Sequence, residues 1–402
     1  MSKRAREGCY LSDQSIFNND DAINDQLNNS ESELKKKKLK EQNYILPDDV
    51  IYEVLHYYSG NFKFIVMNCA LVSKQWLNVI LERLKLHMKC KNNVKLNGEF
   101  LQNIETLSVN FRIKGVVFNC GVFDLMSKSL TTLYISRNNI ENDGAKHISA
   151  LKQLTLLNIS SNNIEEEGAK YIGKLEKLTY LDISKNDIRS NGALYISELK
   201  QLTSLVISSN NIDEEGAAHL IKLTNLTELE TVRNEFGAEG AKHISEMKQL
   251  INLNINDNFI GDEGAKYISE MKQLTILNIG SNEITDRVNF ENFGQLNQLT
   301  ELYIEDNSIQ TNACKYISQL QNLNLLDISG NNVDAEGAKY ISQMNQLTEL
   351  EIHTNSLGNE GAKHISTMKE LEYLYLCDND VSVEVKQHIR EIYQDIDVIL
   401  NL

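Results

Sequence analysis

The chain has 402 residues, a hydrophobic fraction of 41% and a formal net charge of −16 at pH 7. This apolar content is enough for a folded core, while the negative charge argues against nucleic acid as a partner because phosphates would be repelled. No run approaches the roughly 18 consecutive apolar residues of a membrane span, so we expect no membrane insertion.

The cysteines and the N-terminus predict a cytoplasmic or nuclear protein. Six scattered cysteines form no C-x-x-C pair, which indicates reduced thiols in an intracellular protein. The stretch from Met1 to Gln14 is polar and lacks the apolar segment of a secretion signal.

Residues 1–43 are rich in Asn, Asp, Ser and Lys without hydrophobic periodicity, so they predict a disordered arm. Two basic runs lie in it, one from Lys3 to Arg6 and one from Lys35 to Lys38. One interpretation is a nuclear-import signal or a contact with an anionic surface. The other is a solvated tail, because eight acidic residues match the eight basic ones.

Residues 44–85 change to a helical pattern. Asp48 and Asp49 favour the N-terminal end of a helix, an apolar stripe follows, and a second segment contains Ser73, Lys74 and Trp76. The stretch resembles an F-box, with a Leu-Pro entry, an apolar first helix and a Ser-Lys-x-Trp element in the second. By that resemblance Trp76 fixes the helix packing. A Skp-family linker protein would dock on Leu46, Pro47, Val50, Ile51, Val54, Leu55, Leu71 and Val72.

A helical cap is the alternative for residues 44–85, because a solenoid must cover the apolar end of its first repeat. The segment from Tyr57 to Asn68 is longer and more aromatic than the usual F-box connection. The Leu-Pro entry favours the F-box, and so does the stretch 86–129, which already separates this segment from the regular repeats.

From residue 130 onward the chain repeats one pattern with a period of 24 residues. Each copy reads L-x-x-L-x-I-x-x-N-x-I, usually followed by Gly-Ala and an amphipathic segment. This predicts a short strand, a turn held by an Asn side chain, and a helix. A fixed period in this range is typical of solenoids. The copies begin at Leu130, Leu154, Leu178, Leu202, Leu226, Leu250 and Leu274 and, after one extra residue, at Leu299, Leu323, Leu347 and Leu371.

We therefore expect eleven regular repeats over residues 130–394. Degenerate repeats precede them over 86–129, where Ile104, Leu107 and Val109 keep the spacing, and a C-terminal cap follows over 395–402. The segment from Ile284 to Gln298 lacks Gly-Ala. It is either a different outer segment packed by two phenylalanines, or a hinge or partner contact.

The repeats resemble leucine-rich repeats, specifically the strand-plus-helix class of ribonuclease inhibitor, over about two thirds of the chain. Their Glu-Gly-Ala-Lys helix start resembles the GALA-type repeats of F-box effectors from plant-pathogenic bacteria. The resemblance implies an α/β solenoid. It would form a horseshoe with parallel strands on the concave face and helices on the convex face, preceded by a small all-α F-box-like domain.

The sequence contains no recognisable catalytic motif. It has no nucleophile elbow, P-loop or dinucleotide-binding glycine pattern. His219 and His243 come from adjacent repeats, but no carboxylate or thiolate recurs at chelating spacing. We therefore expect a protein that is not an enzyme and that needs neither a cofactor nor a metal.

Function is expected at the strand positions of the concave face, where the copies differ. Exposed aromatic residues are frequent anchors of protein interfaces, and acidic residues suit a basic partner segment. We predict an acidic, tyrosine-bearing patch toward the C-terminal end. The predicted partner-binding residues are Tyr134, Tyr180, Glu228, Glu230, Glu301, Tyr303, Glu305, Glu349, Glu351, Tyr373 and Tyr375.

F-box proteins with leucine-rich repeats present substrates to cullin-type ubiquitin ligases, so the resemblance implies a substrate-recognition adaptor. Its partners would be the Skp-family linker with its cullin complex, and a protein substrate with a basic segment. Catalysis would lie in other subunits, and we expect a monomer outside the complex. The alternative is a binding module without a ubiquitin connection, an inhibitor or scaffold whose acidic horseshoe wraps a basic protein.

Overall fold

The computed structural model describes residues 86–90, 104–109, 123, 129–394 and 397–400. The predicted arm and the predicted F-box, including Leu46, Pro47, Val50, Ile51, Val54, Leu55, Leu71 and Val72, lie outside the described residues. No helix of the described ranges is long and apolar enough to cross a membrane.

Within the described ranges, fourteen strands form one parallel sheet in which each strand pairs with its neighbours in chain order. This order follows from the repeat, because every copy delivers its strand beside that of the previous copy. The strands are β1 Leu86–Cys90, β2 Ile104–Val109, β3 Thr132–Tyr134, β4 Leu156–Asn158, β5 Tyr180–Asp182, β6 Ser204–Val206, β7 Glu228–Glu230, β8 Asn252–Asn254, β9 Ile276–Asn278, β10 Glu301–Tyr303, β11 Leu325–Asp327, β12 Glu349–Glu351, β13 Tyr373–Tyr375 and β14 Asp397–Ile399.

One helix follows each strand from β3 to β13 and covers one face of the sheet. The helices are α1 Glu141–Ile148, α2 Glu166–Ile172, α3 Arg189–Ile196, α4 Glu214–Leu220, α5 Gly237–Ser245, α6 Gly261–Ile268, α7 Phe290–Phe293, α8 Thr311–Ile317, α9 Ala335–Ile341, α10 Gly358–Ile365 and α11 Val383–Ile392. The alternation of strand and helix predicted from the repeat is confirmed.

The core lies between the sheet and the helices. The central leucine of each short strand is buried and in register with the next, as in the series Leu302, Leu326, Leu350 and Leu374. Burial of one such side chain contributes about 1.5–3 kcal/mol. Because the strand period is two, the residues on either side of each leucine point away from the core.

The turn asparagines form a continuous hydrogen-bonded ladder. Asn162 Nδ2 donates to the carbonyl oxygens of Ile159 at 3.0 Å and Ser160 at 3.2 Å, and to that of Ile135 in the preceding repeat at 2.8 Å. Asn162 Oδ1 accepts from the backbone N–H of Asn138 at 2.8 Å. One side chain thus satisfies buried backbone groups in two repeats, which confirms the predicted role of this residue.

The glycine of the Gly-Ala element is required by close packing. A Cβ atom at Gly216 would lie 2.2 Å from Cγ2 of Ile212, and one at Gly192 would lie 2.5 Å from Cβ of Ile188. At Gly192 and Gly216 a side chain would therefore push the start of the helix away from the turn that precedes it.

The irregular segment after β9 has a short helix in place of the usual one. The rings of Phe290 and Phe293 in α7 are fully buried with centroids 5.2 Å apart, so they fill the space that Gly-Ala and Ile fill elsewhere. Asp286 in the same segment accepts hydrogen bonds from the backbone N–H groups of Gln310 and Ala313, at 2.9 and 3.2 Å. The segment is packed into the array and caps the next helix.

Candidate functional site

The face of the sheet opposite the helices, called the open face here, carries three rows of side chains. Two rows flank the buried central leucine of each strand, and the third comes from the residue two positions after the strand. On β10–β13 these rows are Glu301, Leu325, Glu349 and Tyr373; Tyr303, Asp327, Glu351 and Tyr375; and Glu305, Ser329, His353 and Cys377.

These twelve positions contain five carboxylates, three tyrosines and no lysine or arginine. Because parallel strands lie about 4.8 Å apart, equivalent residues of neighbouring strands are adjacent. The middle row therefore has two carboxylates, Asp327 and Glu351, between two tyrosines, Tyr303 and Tyr375. The structure thus brings together the seven predicted residues of the C-terminal patch.

Glu305 fills a gap that a glycine leaves on the open face. Its Oε1 accepts a hydrogen bond from Nδ2 of Asn256 at 2.9 Å, across two repeats. A Cβ atom at Gly280, in the repeat between them, would lie 2.4 Å from Cδ of Glu305. Only a residue without a side chain permits this contact.

Glu305 is only 7% exposed, although strand-face positions were expected to be exposed. Its Oε2 has no hydrogen-bond partner among the described residues. Burial, with a smaller contribution from the charge of Asp327, raises the pKa of Glu305 to about 7. At neutral pH the site therefore holds a carboxyl group that is close to half ionised.

Asp327 and Asp182 occupy the same register position on β11 and β5, and both are buried, at 3% and 4% exposure. Each accepts the backbone N–H of the serine two residues on, at 3.0 Å. Asp182 also accepts from Nδ2 of Asn158 at 2.7 Å. Tyr303 replaces that asparagine beside Asp327, so the amide donor is missing there. Burial raises the pKa of Asp327.

The tyrosines at the two ends of the middle row are held in place by neighbours. Tyr303 OH donates to Oε2 of Glu301 at 2.9 Å, and the ring of Tyr375 lies 4.2 Å from that of His353. Burial raises the pKa of Tyr303 above its usual range and that of Tyr373 to about 12. Burial also raises the pKa of Tyr375. The hydroxyls of Tyr303, Tyr373 and Tyr375 therefore remain protonated at physiological pH.

The other four predicted residues lie apart from this patch. Tyr134 on β3 is 41% exposed. Tyr180 begins β5, and Glu228 and Glu230 stand at the two ends of β7. Burial, together with the charge of Asp182, raises the pKa of Glu230. They share the open face but belong to strands closer to the N-terminal end of the sheet.

Asp327, His353 and Asn256 were not among the partner-binding residues predicted from the sequence. Asp327 and His353 occupy row positions that the repeat spacing defines, so listing every residue of the three rows would have found them. Asn256 could not be found in this way, because its contact with Glu305 depends on the glycine between them. Within the described part of the chain, no group of three or more His, Cys, Asp or Glu side chains is placed to hold a metal ion.

Comparison with known proteins agrees with this architecture. The model of a leucine-rich repeat region matches residues 116–356. A leucine-rich repeat protein of Leptospira interrogans is similar in structure, with a TM-score of 0.59 and 22% identity over 85% of this chain and 99% of the other. An internalin of Listeria monocytogenes has a TM-score of 0.55 and 19% identity over 90% of this chain and 99% of the other.

At these identities the similar structures show the fold alone. No curated protein sequence matches the chain. The family match covers more than half of the 402 residues, and the sheet, the asparagine ladder and the alternating helices agree with it. The chain therefore belongs to the leucine-rich repeat family.

Proposed function

We propose that this protein recognises a protein substrate through the open face of its sheet and presents it to a ubiquitin ligase as an adaptor. The single observation that supports recognition is the composition of β10–β13, where five carboxylates and three tyrosines lie together without a lysine or arginine. Such a surface attracts a basic segment through its charge and offers aromatic contact area.

The adaptor role is supported by the F-box-like sequence of residues 44–85. In this proposal a Skp-family linker docks on Leu46, Pro47 and the apolar stripe that follows, and the linker connects the chain to a cullin complex. The chain itself performs no catalysis and provides only substrate binding. A scaffold or inhibitor without a ubiquitin connection is the second candidate, and the same open face would serve it.

Co-purification of the full chain with a Skp-family linker separates the two candidates. The wild type is compared with a Leu46→Ala/Pro47→Ala double variant and with an Asp327→Asn/Glu351→Gln double variant. The adaptor role predicts that the linker binds the wild type and the open-face variant, and that the Leu46→Ala/Pro47→Ala variant loses it. If a folded wild type does not bind the linker, the adaptor role is wrong and the scaffold remains.

A further inference from the structure

We infer that the chain forms a two-fold symmetric dimer in which one rim of the sheet lies antiparallel against the same rim of a second copy. Such a dimer goes beyond the proposed function and differs from the monomer expected from the sequence. Its contact surface is the row of eleven residues directly before the turn asparagines, called the charged rim here. None of these residues belongs to the three rows of the open face.

The backbone holds the charged rim in register. All eleven residues have a left-handed backbone, with φ between 51° and 63°. The backbone N–H of each of the first ten donates to a carbonyl oxygen of the next repeat, as Arg233 does to Asn256 and Asp257 does to Gly280, both at 3.1 Å. Neighbouring residues of the rim are therefore one strand spacing, about 4.8 Å, apart, and they present their side chains from equivalent backbone positions.

The charge of the rim is divided between its two halves. In the first five repeats every second residue is basic, namely Arg137, Lys185 and Arg233. In the last six repeats the charged residues are all acidic, namely Asp257, Asp306 and Asp378. The remaining residues of the rim are serine, glycine or threonine. A row with cations in one half and carboxylates in the other is complementary to its own reversed copy.

This charge pattern selects one register. With the two-fold axis between the fifth and sixth repeats, Arg233 faces Asp257 of the other copy and Lys185 faces Asp306. Symmetry generates each pair twice. A shift of one repeat would instead place Arg233 against Arg233 or Asp257 against Asp257, and facing like charges are unfavourable.

The central pair remains accessible to a second copy. Arg233 and Asp257 form an ion pair of 3.1 Å within one chain, but their side chains are 73% and 35% exposed. Ion pairs this exposed contribute little to stability. Exchange of these partners between two copies therefore costs little.

Phe259 supplies an apolar centre for the contact. It directly follows the turn asparagine of the sixth repeat, next to the axis, and is 58% exposed. Its φ is 56°, a left-handed conformation that bulky residues rarely adopt. Three other repeats have asparagine at this position with the same conformation: Asn139, Asn163 and Asn211. An exposed aromatic ring on an unfavourable backbone is typical of a binding anchor.

The row that contains Phe259 also agrees with this register. The two Phe259 residues lie on either side of the axis, one strand spacing apart, and Glu235 of one copy faces Phe259 of the other. Glu283 and Asp187 face an asparagine and a serine, so these carboxylates do not face one another. An apolar centre within a polar and charged rim is the usual arrangement of a specific interface.

Sedimentation velocity of the full chain tests the apolar centre, at about 50 μM protein and about 150 mM salt. We expect the wild type to sediment as a dimer. Phe259→Asn should raise the dissociation constant at least tenfold, because the anchor is lost while asparagine suits the backbone. The control Ile251→Thr removes another exposed apolar side chain, at a position where Thr227 and Thr275 stand in the adjacent repeats. It should change the constant less than twofold.

Two charge variants test the register. Lys185→Glu/Arg233→Glu has only acidic charges at the four facing positions, and Asp257→Lys/Asp306→Lys has only basic ones. Each variant alone should be monomeric, because like charges face each other. An equimolar mixture should form a mixed dimer, because every facing pair is again of opposite charge.

A matched charge change on the helices is the control for this mixture. Lys170→Glu/Lys242→Glu should dimerise as the wild type does and should pair with the basic variant at least tenfold more weakly than the acidic rim variant does. Circular dichroism verifies that each variant is folded. A monomeric wild type, or a mixture of the two rim variants that stays monomeric, would overturn the inference. So would a dimer that Phe259→Asn and Ile251→Thr weaken equally.

Discussion

Replacement of Glu305 by glutamine should stabilise the folded protein, and the gain should depend on pH. The pKa of Glu305 is raised to about 7 by burial, compared with 4.5 for an unperturbed glutamate, and each pKa unit corresponds to about 1.4 kcal/mol. Because the pKa of Glu305 is higher in the folded than in the unfolded state, its ionisation destabilises the fold. This cost is absent below the unfolded pKa and grows as the pH rises to 7 and above.

At pH 8 the ionised Glu305 therefore costs the folded state on the order of 3 kcal/mol, and at pH 4.5 less than about 0.5 kcal/mol. Glutamine keeps the oxygen that accepts from Asn256 and removes the charge. We expect Glu305→Gln to raise the free energy of unfolding by about 1–3 kcal/mol at pH 8, with almost no change at pH 4.5.

Urea unfolding followed by circular dichroism at both pH values measures this difference. Glu228→Gln is the control, because Glu228 is exposed on the same face and its replacement should change the stability by less than about 0.5 kcal/mol. A gain at Glu305 that is equal at pH 4.5 and pH 8 would refute the reasoning, and so would a loss at pH 8. A confirmed gain would show that the fold tolerates a destabilising charge at this site, as binding sites often do.

Three further predictions concern the ladder and the site. Asn162→Ala should lower the free energy of unfolding by at least about 2 kcal/mol, because several buried backbone groups lose their partner. The control is Asn163→Gly at the exposed neighbouring position. This change should alter the free energy of unfolding by less than about 0.5 kcal/mol in urea. Gly280→Ala should displace the side chain of Glu305 and lower the free energy of unfolding by about 1–3 kcal/mol in urea, because the added methyl group overlaps that side chain; an unchanged stability would contradict the contact. The affinity of the open face for a fluorescein-labelled 20-residue polylysine should fall as the pH drops from 8 to 6, because burial raises the pKa of Glu305 to about 7 and this carboxylate takes up a proton. An anisotropy titration that is flat over this range would exclude its participation.

Most of the fold could be predicted because the repeat fixes it. The 24-residue period aligns the leucines. The recurring asparagine marks a turn whose backbone hydrogen-bonding groups have no strand partner. Both signals are local to one repeat and are copied many times. For the segment from Ile284 to Gln298 the sequence left two interpretations open, and the buried rings of Phe290 and Phe293 agree with the packed outer segment.

The electrostatics of the site could be predicted only in part. Asp182 and Asp327 look equivalent within their own repeats. Their hydrogen bonding differs because the preceding strand places Asn158 beside Asp182 and Tyr303 beside Asp327. The burial of Glu305 depends on Gly280, which lies in the preceding repeat. Such effects arise from side chains that are 24 or 25 residues apart in sequence and adjacent in the sheet, so one repeat read alone does not reveal them.

The central claim is that the C-terminal part of the open face holds a basic segment of a partner. The most direct measurement is photo-crosslinking of a 20-residue polylysine that carries one benzophenone, followed by mass-spectrometric mapping of the attached residues. The account predicts crosslinks within residues 301–305, 325–329, 349–353 and 373–377. Crosslinks that fall mainly on the helices, or on strands β4–β7, would contradict it.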